Sequence, residues 1–251
     1  MSEEIILETR GLVREFKGFI AVNGVNLKVQ RGTIHALIGP NGAGKTTVFN
    51  LLTKFLTPTN GRIFYKGADI TGQAPADIAH RGVVRSFQIS AVFPHLTVLE
   101  NVRVALQRAM GNSFHFWKSK RCLDTLNGRA AELLQSVDLA DFADTLTVEL
   151  PYGRKRALEI ATTLAMNPEL MLLDEPTSGM GHEDVSRVTA LIKKVSANRT
   201  ILMVEHNMSV VAGISDRITV LQRGQILAEG PYAEVSANPE VMEAYLGTGH
   251  D

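Results

Sequence analysis

The chain predicts an α/β fold built on a parallel sheet, and three stretches carry that reading. The first is residues 39–47, Gly-Pro-Asn-Gly-Ala-Gly-Lys-Thr-Thr, in which Gly39, Gly44, Lys45 and Thr46 meet the G-x-x-x-x-G-K-[ST] phosphate-loop pattern. The second is the setting of that loop. The apolar run Ile34 to Ile38 ahead of it reads as a buried strand. Thr46 to Phe55 behind it carries Val48, Leu51, Leu52 and Phe55 on one helical face. The third is Leu170-Met171-Leu172-Leu173, an apolar strand running into the acidic pair Asp174-Glu175, where α/β sheets bind ligands.

The loop chemistry follows from residue type. Gly42 and Gly44 let the backbone approach a phosphate closely, and Pro40, Asn41, Ala43 and Thr47 complete the cradle. The helix behind it adds a dipole that favours the anion. Lys45 is placed to reach the β- and γ-phosphates, and the Thr46 hydroxyl to ligate Mg²⁺. Asp174 suits the same cation, and Glu175 suits a general base that polarises an attacking water. His206, at the end of the strand Thr200 to Val204, is a candidate for the γ-phosphate. The expected ligand is a nucleoside triphosphate with Mg²⁺.

Composition bounds the rest. The 251 residues suit one α/β domain with a small subdomain, and 45% apolar with 21% charged residues is an ordinary core-forming balance. Twenty-six basic and 26 acidic side chains cancel, so no global field points to nucleic acid as a partner. The one cysteine, Cys122, excludes an internal disulfide and fits a reducing compartment. The start lacks the pattern of a signal peptide, and no stretch approaches the roughly 18 apolar residues of a membrane span. We expect a cytoplasmic chain that does not itself cross a membrane and is free to sit on a protein that does.

Taken in order, residues 5–29 read as short strands, Ile5 to Glu8, Leu12 to Phe16 and Val25 to Val29, divided at Lys17-Gly18 and Asn23-Gly24. Phe16 suits either stacking on a nucleotide base or a place as a core or edge aromatic. Residues 63–65 read as a strand, Pro75 to Arg81 as a short helix with proline at its start, and Val83 to Phe87 as a strand ending at Gln88. Residues 89–150 change character. Helical spacing over Leu99 to Met110 and Ala130 to Val137 predicts an inserted helical subdomain, with the catalytic core over 1–88 and 151–251. Inside the insertion, Phe114 to Arg121 reads either as a membrane or partner contact or as a solvated basic turn. The core resumes with a helix over Arg154 to Met166, a helix over 183–196, a hairpin across Arg223-Gly224, and short helices from Ala233 to Leu246.

This ordered set resembles the ATP-binding subunits of ATP-binding-cassette (ABC) transporters over almost the whole chain. The aromatic Phe16, the Walker-A loop 39–47, a Q-loop glutamine at Gln88, a signature at 150–154, the Walker-B pair Asp174-Glu175 and a switch His206 occur in the family order. Glu205 to Val211, the helical insertion and the terminal Ala-Tyr-Leu-Gly look like the larger ATPase subunit of the branched-chain amino-acid importer group. The resemblance implies an ABC-type P-loop fold with an antiparallel β-subdomain, ATP hydrolysis, and Gln88 both at the metal and in catalysis. It further implies a second ATPase subunit, most often a different one, transmembrane permease subunits, and indirectly a solute-binding protein. It also places Leu150, Pro151, Tyr152, Gly153 and Arg154 on the partner's ATP.

Two departures stand out. Pro151 replaces the signature serine, which leaves the anion to backbone N–H groups, the helix dipole and Arg154. Ser178-Gly179-Met180-Gly181 has glycine where the family's D-loop has aspartate. A soluble ABC protein acting on ribosomes or DNA is opposed by the neutral single cassette. A GTP switch is opposed by the lack of an Asn-Lys-x-Asp motif.

Overall fold

In the computed structural model, residues 4–86, 92–109 and 125–246 are described. Gln88 and the stretch 114–121 lie outside them. Among the described residues two sheets form. The antiparallel one has the order β2-β1-β5-β6, with β3 also on β1. Its strands are β1 Ile5–Phe16, β2 Phe19–Val25, β3 Lys28–Gln30, β5 Asn60–Tyr65 and β6 Ala68–Asp69. The spacing predicts two strands where β1 is one. Gly11, at φ 56°, and register shifts along its pairings bend the strand instead of ending it.

The second sheet has the order β11-β10-β4-β9-β8-β7. Its strands are β4 Ile34–Ile38, β7 Val83–Ser86, β8 Leu170–Asp174, β9 Thr200–Val204, β10 Arg217–Gln222 and β11 Gln225–Gly230. Neighbours are parallel except for the β10–β11 hairpin. Every residue of β4, β8 and β9 is buried, because helices and the other sheet cover both faces. The alternation of side chains therefore feeds two cores. Leu37, Leu172 and Leu202 meet Phe49, Leu51 and Ile63 on one face. Ile38, Leu173 and Met203 meet Val102, Leu133, Leu158 and Ile192 on the other.

The helices are α1 Lys45–Leu52, α2 Pro75–His80, α3 Val98–Ala109, α4 Asn127–Ser136, α5 Tyr152–Leu164, α6 His182–Ser196, α7 Met208–Ile214, α8 Tyr232–Ser236 and α9 Pro239–Leu246. The helix after the loop is shorter than its apolar spacing predicts. Lys54 takes φ 62° and turns the chain, and the Thr53 hydroxyl donates to the Phe49 carbonyl at 2.7 Å. Phe55 consequently leaves the apolar face and is exposed. In the 92–150 stretch, Asn101 is the buried hub, accepting from the Phe93 N–H at 2.7 Å and donating to Thr147 Oγ1 at 2.9 Å.

Register brings the strand ends together. Leu37 lies beside Val204, Asp174 beside Val204, and Ser86 beside Leu173. The loop at Gly39, Glu175 and Glu205 thus emerge along one edge of the parallel sheet.

Candidate functional site

The phosphate loop is held from behind by backbone. A Cβ on Gly39, at φ 150°, would lie 2.2 Å from the Leu221 carbonyl oxygen, and one on Gly44, at φ 100°, 2.5 Å from that of Ala21. Only glycine fits these two positions. Gly42 differs: its φ is 77°, but nothing lies within 4 Å of an added Cβ, so the space above it is open. The Gly224 N–H donates to the Ala43 carbonyl at 3.0 Å, and the Asn23 N–H to Gly224 at 2.8 Å. The β10–β11 turn and β2 therefore brace the loop. Asn41 and Thr46 are exposed on the open side, with Pro40 and Thr47 half-buried.

Lys45 is buried, and its ammonium donates to the carbonyls of Gly39 at 2.7 Å and Pro40 at 3.0 Å. Burial pulls its pKa below the usual lysine value, opposed by the negative charges of Glu175 and Asp174. The two acids thus lie near enough to Lys45 to oppose that effect.

Asp174 ends β8, only 7% exposed, with its Oδ2 paired to Arg85 on β7. Arg85 also donates to Asn50 Oδ1 on α1 at 2.6 Å. Glu175 follows at φ 45°, a conformation that costs a non-glycine residue on the order of 1–3 kcal/mol and clusters at working sites. Its N–H donates to the Val204 carbonyl at 2.9 Å, which holds the strained turn, and its side chain is partly exposed. His206 Nδ1 stands 3.9 Å from Glu175 Oε1.

Three residues outside the sequence-derived set hold this geometry. Glu205, fully buried, accepts from Thr177 Oγ1 at 2.8 Å and from the N–H groups of His206 and Asn207 at 3.0 and 3.1 Å. It ties the loop after β8 to the loop after β9. Arg156, on α5, donates to the carbonyls of Asp174 at 2.9 Å and Pro176 at 3.2 Å, and to Glu159 Oε2 at 2.5 Å. Burial raises the Glu159 pKa to about 7 against the pull of Arg156. Arg85 itself could have been flagged as a cation within an otherwise apolar parallel strand, since such a charge needs a partner. The distant partners, Asp174 and Pro176 for Arg156 and Thr177 for Glu205, leave no local trace.

Leu150 is buried and Pro151 caps α5 without a side-chain bond. The Tyr152 hydroxyl donates to the Ser178 carbonyl at 3.3 Å, joining the signature segment to residues 178–181 of the same chain. A Cβ on Gly153 would meet Asp184 Oδ1 at 2.4 Å, so α5 and α6 approach closely there. The Arg154 guanidinium lies 3.6 Å over the Phe142 ring. Phe16 is 38% exposed at the end of β1, with the Arg14 guanidinium 4.5 Å over its ring, so it is an edge aromatic rather than a core one. The β2 strand it pairs with runs past Gly44 through Ala21.

A glycine loop after β4, a buried lysine and two consecutive acids at the end of β8 in the same parallel sheet define the class as a phosphate-loop nucleoside triphosphatase. Residues 22–178 match the ABC transporter family, and residues 225–251 match the family described as branched-chain amino acid ATP-binding cassette transporter. The chain belongs to the ABC transporter family and is one of its ATPase cassettes. It is 42% identical to the high-affinity branched-chain amino acid transport ATP-binding protein BraF of Pseudomonas aeruginosa, covering 96% of this chain and 98% of that one. It is 40% identical to the corresponding protein LivG of Escherichia coli K12, with the same two coverages. Among solved structures, a nucleotide-free ATP-binding cassette of an ABC transporter superposes with a TM-score of 0.84 at 30% identity, covering 96% of this chain and 98% of that one. An ATP-binding cassette in its ADP conformation gives the same TM-score and identity over 97% and 99%. Among the described residues no helix is long and apolar enough to cross a membrane.

Proposed function

We infer that this cassette powers an importer of branched-chain amino acids, working at the cytoplasmic face of the membrane with permease subunits, a second ATPase subunit and a solute-binding protein. The observation that carries the reading is the match of residues 225–251 to the branched-chain amino acid cassettes, backed by 42% identity to BraF over 96% of the chain. The neutral chain gives no support to a nucleic-acid partner.

In this reading the loop 39–47 cradles the triphosphate, and Lys45 exchanges its two loop carbonyls for phosphate oxygens. Phe16 offers its exposed face to the base. Glu175 takes a proton from the attacking water, and His206 donates to the γ-phosphate beside it. Thr46, Asp174 and Gln88 would hold Mg²⁺. The oxygen donors of Thr46 and Asp174, one a nearly buried carboxylate, suit a hard cation. No group of three or more histidines, cysteines or acids among the described residues could hold a metal alone, which fits a cation sharing its ligands with phosphate and water. When bound, Mg²⁺ neutralises charge on the phosphates.

Leu150 to Arg154 would cap the ATP of the other subunit, with α5 presenting its N-terminus. Pro151 leaves this cap without the serine hydroxyl of the family pattern, so pairing with a different ATPase would give unequal sites. The apolar side chain of Phe93, 52% exposed beside the Asn101 hub, supports a permease contact near residues 88–100.

The test is the reconstituted transporter with its binding protein. Leucine, isoleucine or valine should stimulate ATP hydrolysis, and changing Glu175 should cost more activity than changing the partner's equivalent acid. Stimulation by another solute class alone would overturn the substrate, and equal losses would overturn the asymmetry.

A further inference from the structure

Among the described residues, the guanidinium that reaches the Walker-B carboxylate bridges three elements. Arg85 stands on β7, the edge strand, in register with Leu172 of β8. Its side chain is 15% exposed and passes 5.9 Å from the centre of the Phe49 ring. One nitrogen bonds Asn50 on α1 at 2.6 Å, and the other pairs with Asp174 Oδ2. The helix that bears Asn50 is the one that starts at Lys45. Arg85 is thus pinned from the side and cannot easily swing away from the carboxylate.

Asp174 is charge-paired before any ligand arrives, because its Oδ2 meets the Arg85 guanidinium. Lys45, Glu175 and the buried Glu205 bring one positive and two negative charges to the same sheet edge. A free divalent cation arriving at Asp174 meets a carboxylate already neutralised and a guanidinium a few ångströms away. Repulsion at that range in a partly buried site is strong. A triphosphate changes the sum, because it brings several negative charges to the Lys45 side. The cation is then attracted by phosphate and carboxylate together, and Arg85 becomes tolerable.

We propose that Arg85 is the built-in counter-ion that closes Asp174 to free divalent cations, so that the metal enters this site only with a nucleotide. The proposal rests on the reading of Asp174 as the cation ligand. A loop carbonyl could not do this work, since only a full positive charge both satisfies the buried carboxylate and repels the metal.

The experiment is electron-paramagnetic-resonance titration of the full chain with Mn²⁺, first without nucleotide and then with ADP. The parent and R85K, which keeps the charge, should bind free Mn²⁺ weakly. R85Q should bind it about tenfold more tightly or better, given the charge removed. Adding D174N to R85Q should abolish the gain. An R85Q protein that binds free Mn²⁺ no better than the parent overturns the proposal while leaving Asp174 as a ligand. A gain that survives D174N overturns the underlying reading instead, because the metal then sits elsewhere. Should R85Q fail to fold, the parent decides: free Mn²⁺ bound within tenfold of its affinity in ADP overturns the proposal, and a wider gap supports it.

Discussion

Replacing Glu205 probes the joint between the two catalytic loops. The carboxylate is fully buried and accepts three hydrogen bonds, from Thr177 Oγ1 and from the backbone N–H groups of His206 and Asn207. Glu205→Gln keeps the shape. Its amide oxygen can still accept from both N–H groups, and its NH₂ can donate to the Thr177 hydroxyl. What is lost is the charge, and charge-assisted bonds exceed neutral ones by on the order of 1 kcal/mol. We therefore expect Glu205→Gln to cost about 1–2 kcal/mol. Glu205→Ala leaves the buried Thr177 hydroxyl and two partly buried N–H groups without this partner, and because water can reach the latter two a loss of about 2–4 kcal/mol is expected. For a chain of this size that is a fall in Tm of roughly 2–4 °C per kcal/mol. Urea unfolding of the parent and both variants measures the series, and turnover should fall with it as His206 leaves its place 3.9 Å from Glu175. Equal and small losses for Gln and Ala, or a greater loss for Gln, would refute the role of this carboxylate.

Other outcomes are equally specific. Glu175→Gln should bind ATP as the parent does but hydrolyse it roughly 10²–10⁴-fold more slowly in the assembled transporter. Lys45→Ala should instead weaken nucleotide binding itself, read by titration with a fluorescent ATP analogue. Buried His35 bonds Thr219 through Nε2 at 2.8 Å, and burial, with Arg217 nearby, pushes its pKa down to about 3. The folded chain thus keeps His35 neutral while the unfolded chain protonates it below about pH 6.5, so stability falls as pH drops from 6.5 towards 3. Between pH 6.5 and 4.5 this one group should cost about 2 kcal/mol, absent in His35→Gln. Glu159, raised to about 7, shifts stability in the opposite sense between pH 7 and 4.5, but equally in both proteins, so the difference isolates His35. Urea midpoints at the two pH values measure it.

Local pattern alone determined a great deal here. The loop 39–47, the apolar runs of β4, β8 and β9, and the acids at Asp174 and Glu175 were legible because each depends on neighbours in the chain. A strand buried on both faces must be apolar throughout, and a phosphate loop must carry its glycines where backbone approaches. Phe55 was misplaced because helical spacing says which residues share a face but not where a helix stops, and Lys54 in a left-handed turn stopped it early. Likewise, β1 reads as two strands because Gly11 marks a break locally, whereas pairing with β2, β3 and β5 carries the strand through. The supports of the site were decided only in three dimensions. Arg85 and Asp174 are joined by strand register, Arg156 reaches the Asp174 carbonyl from α5, and Glu205 meets Thr177 across two loops. A buried charge announces in sequence that it needs a partner; only the packing of distant elements decides which one it finds.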